Sequence, residues 1–301
     1  MAFIVESWFF IWLIIEINLT GLILLLLKEG KKEKTIILFL FQSISSLIIL
    51  ISIFSNKIEI NHLSDTHKNI ILTALFLKIG LFPFHPWILS LRKSLSWISN
   101  FILITWQKFI PILIIIKLFP VKTLLIYLPV LLLSIGLVIL KTSNIKIILI
   151  CSSLIHMGWI ITPNTPSILF SLIYLIIYSL ILIMIINPAN KENFTHIINQ
   201  PKFPLSNPLI YSIIRIAGIP PLLGFFIKLI VFFLIISLRE YKSILITLII
   251  VSSIRFFAYS QIIYKTLIIK KLTLITEKKI YPNKKIFFIS INITLPLLII
   301  L

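Results

Sequence analysis

Glu16, Lys78, Lys108, His156, Arg215, Lys228 and Arg255 stand inside long apolar runs of this chain. A cation at mid-bilayer costs roughly 2.5–3.5 kcal/mol on insertion scales, so such groups must face protein or water rather than lipid. Distributed over at least five separate runs, they suit a proton relay. Burial disfavours a lysine's charge and a neighbouring carboxylate favours it, so moving one charge switches the next site. The competing reading is that the charges pair to hold helices together. For Arg215, which could reach an interface from a half-helix, and for Arg255, both readings stay open.

Lys108 shows the argument most clearly. It lies in the run from Trp97 to Leu118, eleven residues from one end and ten from the other. At ~1.5 Å per residue that run crosses a bilayer as a helix, with Lys108 at the midplane. A lysine stem cannot snorkel that far, so a partner or water inside the protein is expected.

The elements that must position these groups are membrane helices. The 301 residues are 59% hydrophobic and only 12% charged, with a mean hydropathy of +1.13, which excludes a soluble domain. The apolar spans are roughly 3–27, 36–54, 69–90, 97–118, 122–140, 146–162, 167–186, 208–238, 243–268 and 286–301. They predict an all-α, polytopic bundle of about ten transmembrane helices, forming one membrane domain over 1–301. The net charge of +19 would suggest nucleic acid in a soluble chain. Here the basic residues punctuate the spans and lie mostly on one side, as topology signals do, and no nucleic acid is expected. The single cysteine, Cys151, excludes an internal disulfide or a cysteine metal cage, and no metal site is expected. The sequence opens on an apolar span without the pattern of a cleavable signal, so insertion from the first helix is expected.

Two spans carry their own interruptions: Leu81-Phe82-Pro83-Phe84-His85-Pro86-Trp87 in the third and Gly218-Ile219-Pro220-Pro221-Leu222-Leu223-Gly224 in the eighth. Five crossings apart, they run in opposite directions. Two proline-broken helices in corresponding, antiparallel positions predict antiporter-like inverted repeats, with unwound backbone lining a hydrated cavity. A pair of kinked packing helices is the alternative.

Four segments carry a resemblance: Leu77 to Trp87, Thr105-Trp106-Gln107-Lys108-Phe109-Ile110-Pro111, Ser152-Ser153-Leu154-Ile155-His156-Met157-Gly158-Trp159 and Gly218 to Lys228. In this order they resemble the NADH-ubiquinone oxidoreductase chain 2 family, the antiporter-like proton-pumping subunits of mitochondrial respiratory complex I. The resemblance covers about residues 8 to 270. It implies that Glu16 pairs with Lys78 and biases protonation of the central Lys108, that His156 lies on a hydrated axis, and that Lys228 is the terminal lysine toward the neighbouring subunit. A lysine at that last position favours the chain 2 family over the similar chain 4 family.

The resemblance further implies that this chain holds no cofactor, with NADH, FMN, iron–sulfur clusters and ubiquinone in other subunits. The implied partners are the other membrane-arm subunits, above all the adjacent antiporter-like ones, and the lipid bilayer. The implied setting is the mitochondrial inner membrane, with mitochondrial encoding. Two departures stand out. The family glutamate usually lies one helix further in, so the first helix of the animal form is expected to be missing. Gln261 stands where an arginine is expected, and Arg255, six residues earlier, is about 240° away around the helix and would not substitute simply. A free-standing cation/proton antiporter would share the breaks and buried lysines, and a structural scaffold would carry them incidentally. Partners separate the first reading from the second, and ion transport separates both from the third.

Overall fold

The computed structural model describes residues 8–55, 65–92, 95–118, 121–142, 144–162, 168–191, 207–220, 222–237 and 242–276. Helices dominate because a chain this apolar must satisfy its backbone donors and acceptors internally. Among the described residues five segments, Phe9–Lys28, Lys32–Ser55, Trp97–Leu118, Leu169–Asn190 and Ser243–Tyr264, are long and apolar enough to cross a bilayer. The expected span 286–301 lies outside the described residues. The chain divides into two compact units, Met1–Tyr127 and Leu128–Leu301.

In the first unit, α1 (Trp8–Lys28) is followed by α2 (Lys32–Ser55) after a turn at Gly30, whose φ of 72° favours glycine. α2 packs between α1 and α3 (Asp65–Ile79). Its serines are self-satisfied: Ser45 donates to the Gln42 carbonyl at 2.7 Å and Ser52 to Ile49 at 2.7 Å, so they enter an apolar interface without outside partners.

The first break is built as a helix terminator. Gly80, at φ 77°, ends α3 in a Schellman arrangement, with the Leu81 N–H on the Phe76 carbonyl at 2.9 Å and the Gly80 N–H on Leu77 at 3.2 Å. A Cβ at Gly80 would lie 2.8 Å from Ile88 Cδ1. Pro83 lies in the break, and the helix resumes as α4 (His85–Arg92) with Pro86 in its first turn, where a missing N–H costs nothing.

The fourth span is also discontinuous, which the sequence reading treated as one helix. α5 (Trp97–Ile104) and α6 (Trp106–Leu118) meet at Thr105, where the Lys108 N–H reaches the Thr105 carbonyl at 3.2 Å in a tightened turn. Pro111, inside α6, has no N–H for the Gln107 carbonyl. The backbone is thus loosened on both sides of Lys108.

The second unit takes most of α7 (Val121–Lys141), then α8 (Ile145–Ile161), α9 (Ile168–Lys191), α10 (Asn207–Ala217), α11 (Leu223–Ser237) and α12 (Lys242–Thr276). Asn144 caps α8 by accepting the Lys146 N–H at 2.9 Å. Every residue of α8 is buried, as expected of a helix apolar all round. Gly158 makes this possible, since a Cβ there would lie 2.9 Å from Leu132 and 3.0 Å from Leu248. Close approach at small residues is how helices associate where lipid removes the hydrophobic drive. The second break, Gly218 (φ 81°) to Leu222, separates α10 from α11 as the sequence predicts.

Candidate functional site

Lys78 is the last residue but one of α3, placed by the break that follows it. It is 6% exposed, and its ammonium has no hydrogen-bond partner among the described residues. Its carbonyl accepts from Gln42 Nε2 at 3.0 Å, so a buried amide on α2 replaces a helical donor lost at the break. Glu16, half-buried on α1, is near enough for its charge to act on Lys78, but no ion pair closes between them. One Glu16 carboxylate oxygen is buried without a hydrogen-bond partner.

Lys108 is 3% exposed on α6, which packs against both α3 and α1. Its neighbour Gln107 fixes the register. Gln107 Nε2 donates to Asn18 Oδ1 and to the Asn18 carbonyl, both at 3.2 Å, and Asn18 Nδ2 returns a bond to Gln107 Oε1 at 3.3 Å. Asn18 is two residues beyond Glu16. The structure therefore brings Glu16 and Lys78 onto two helices, α1 and α3, that both pack against the helix of Lys108 within one unit.

The second unit gathers the other predicted groups. His156, buried on α8, is held at both ring nitrogens: Arg255 Nη1 donates to Nε2 at 2.6 Å, and Nδ1 meets the Tyr174 hydroxyl at 2.7 Å. The Tyr178 ring lies 4.3 Å from the imidazole. Arg255 is wholly buried, and Gln261, where the family arginine was expected, is exposed on α12. Lys228 is half-buried on α11 and points back across the break, its Nζ 3.5 Å from the Ala217 carbonyl. Beside it is a cavity of about 420 Å³ lined by Trp159, Gly218, Pro220, Phe225, Lys228 and Ser252 among others. Arg215, on α10, donates to the Met184 sulfur.

Sequence reasoning passed over Asn18, Gln42 and the tyrosines Tyr174, Tyr178 and Tyr259. The argument used for charges, that a polar group in hydrocarbon needs a partner, would have found the two amides. Tyrosine carries a weaker signal, because its amphipathic ring is ordinarily accommodated at the membrane interface. Among the described residues no group of His, Cys, Asp and Glu could hold a metal ion.

Apolar helices enclosing lysines, a histidine and arginines, two of them opened at glycine–proline breaks, define a polytopic membrane protein with titratable groups built into its interior. The family profile described as NADH:quinone oxidoreductase/Mrp antiporter, TM, matches residues 5–255, and the chain belongs to that family. It is 32% identical to NADH-ubiquinone oxidoreductase chain 2 of Rhipicephalus sanguineus, over 98% of this chain and 94% of the relative. With the chain 2 protein of Symphalangus syndactylus it shares 32% identity over 87% and 80%, and with that of Artemia franciscana 28% over 97% and 93%. A chain of respiratory complex I from Thermus thermophilus with bound aureothin has the same fold, with a TM-score of 0.63 at 15% identity over 81% of this chain and 67% of that one.

Proposed function

We propose that this chain is a proton-translocating membrane subunit of NADH:ubiquinone oxidoreductase, coupled to electron transfer in other subunits. The observation that supports the reading is the packing of α6, which carries the buried Lys108, against both α1, which carries Glu16, and α3, which carries the buried Lys78. The Lys78 ammonium, buried without a hydrogen-bond partner among the described residues, is poised between two states. A carboxylate's field holds the charge, and its withdrawal releases the proton. In the first unit Glu16 and Lys78 set the charge on Lys108. In the second, His156 and Lys228 accept and deliver protons, Lys228 beside the cavity at the second break. The two units work as one membrane domain.

On this reading the activity belongs to a large assembly. The neighbouring antiporter-like subunits are the partners, the mitochondrial inner membrane is the location, and the NADH, flavin, iron–sulfur and quinone chemistry belongs to other subunits. A free-standing cation/proton antiporter is the second reading, because the family's own description spans both kinds. Native-gel migration separates them: a complex subunit travels with a megadalton NADH-oxidising assembly, and an antiporter travels alone.

Lys108→Met tests the relay. Methionine matches the lysine's length without its charge, so the assembled complex should form and oxidise NADH but pump few protons. Unchanged proton pumping per NADH in the assembled variant would remove Lys108 from the mechanism.

A further inference from the structure

Arg255 has a partner set unlike that of an ordinary structural arginine. It is 0% exposed, and no acidic residue stands among the described residues of the second unit, whose only acids, Glu192, Glu240 and Glu277, lie outside them. A buried guanidinium usually requires a carboxylate. Here its Nη1 is spent on His156 Nε2 at 2.6 Å, the other ring nitrogen of that histidine meets the Tyr174 hydroxyl at 2.7 Å, and the arginine's Nε and Nη2 have no hydrogen-bond partner among the described residues. Lys228 on α11 lines one cavity with Ser252, Ser253 and Phe256, which flank Arg255 on α12.

The donor and acceptor chemistry of the guanidinium and the imidazole fixes what this contact means. A guanidinium only donates, so Nε2 must be the acceptor and the imidazole proton must sit on Nδ1, directed at the Tyr174 oxygen. A second proton on His156 would need the lone pair that Arg255 occupies. Protonation of His156 and retention of the Arg255 bond therefore exclude one another.

Resting on the relay reading above, we propose that Arg255 is a positioning residue that holds His156 in the Nδ1–H tautomer and carries its protonation state to Lys228. When a proton arrives at His156 Nε2, that nitrogen gains an N–H and the guanidinium, now facing a donor and a like charge, is displaced. The positive field at Lys228 changes with it. Gln261, exposed on the same helix, takes no part.

The test uses the assembled complex in sealed membrane vesicles, reading protons pumped per NADH oxidised, a ratio that the amount of complex does not alter. Arg255→Met should lower the ratio about tenfold, within the usual range of coupling between sites. Arg255→Lys, which keeps a donor-only cation, should recover it to within about threefold of the unmodified complex. His156→Phe should resemble Arg255→Met, and the double variant should be no more than about twofold worse than either single. If Arg255→Met does not assemble, Arg255→Gln takes its place: it still donates to Nε2 but lacks charge, and should pump at least about fivefold less. A ratio unchanged in Arg255→Met or Arg255→Gln, or losses that multiply in the double variant, would overturn the proposal. Lys108→Met runs alongside. A normal ratio in that variant would mean that the relay reading itself had failed, whereas a low ratio there with a normal one in the Arg255 variants would sink the Arg255 role alone.

Discussion

Asn18 and Gln107 face each other across α1 and α6 and exchange amide hydrogen bonds in both directions, at 3.2 and 3.3 Å. One lies two residues after Glu16 and the other one residue before Lys108. The pair thus sets how the helix of the acid and the helix of the central base register. In lipid the alternative to such a bond is an unsatisfied amide, although measured worth is modest, ~0.6 kcal/mol on average and up to ~1.7.

Asn18→Leu and Gln107→Leu should each lower the thermal stability of the assembled complex by about 1–3 kcal/mol, because each leaves a part-buried amide without its partner. The double variant should lose less than the two singles added together. Strict additivity in the melting of the three variants would show that the bonds contribute nothing jointly.

Glu16 and Lys78 call for a different magnitude. Removing one member of a buried pair in contact costs ~3–5 kcal/mol, but no ion pair closes between these two. Glu16→Gln should therefore leave assembly nearly intact, with a coupling to Lys78→Met on the order of 1 kcal/mol in pumping rate. A double-mutant cycle measures it, and zero coupling would separate the two residues functionally.

The parts of this fold that were legible in the sequence are those that violate the apolar background. Lysines and a histidine inside hydrocarbon runs, and Pro83, Pro86, Gly218 and Pro220 within spans, stand out because lipid makes each of them costly. The discontinuity at Thr105 was not legible, since threonine continues helices readily and Pro111 acts four residues away on the Gln107 carbonyl. The Arg255 to His156 contact joins residues ninety-nine apart. No spacing rule connects them, because which residues share an interior depends on how α8, α9 and α12 pack. Arg255 and Gln261, about 240° apart around α12, face opposite ways, one inward and the other outward.

Acid should act at one edge of the first unit. Glu29, in the turn after α1, accepts from Ser96 and Ser99 at the start of α5 and from Lys31 at 2.8 Å. Burial pushes its carboxyl upward, but the hydrogen bonds from Lys31, Ser96 and Ser99 outweigh it and hold the group below its ordinary value of 4.5. A folded value below the unfolded one gives stability that is present above pH 4.5 and fades as pH falls through the folded value. For so open a site the effect is at most about 1 kcal/mol. Thermal melts from pH 6 downward should show a steeper acid decline for the unmodified protein than for Glu29→Gln, and parallel curves would exclude the link.

The two glycines of the second break should fail in different ways. At Gly224 a Cβ would lie 2.3 Å from the Arg215 carbonyl oxygen, which is backbone and cannot swing aside, so α10 and α11 would have to part. Gly224→Ala should cost about 1–3 kcal/mol or more, seen as lost assembly and a lower melting temperature. At Gly218 the obstacle is Lys228 Nζ, 2.4 Å away, the tip of a flexible chain. Gly218→Ala pays roughly 1–2 kcal/mol for its φ of 81°, yet the complex should still assemble with Lys228 pushed from the Ala217 carbonyl. Its defect should appear in protons pumped per NADH rather than in the amount of complex. The reverse pattern, with Gly218→Ala pumping normally and Gly224→Ala melting like the unmodified protein, would mean that the close approach at this break does not position Lys228.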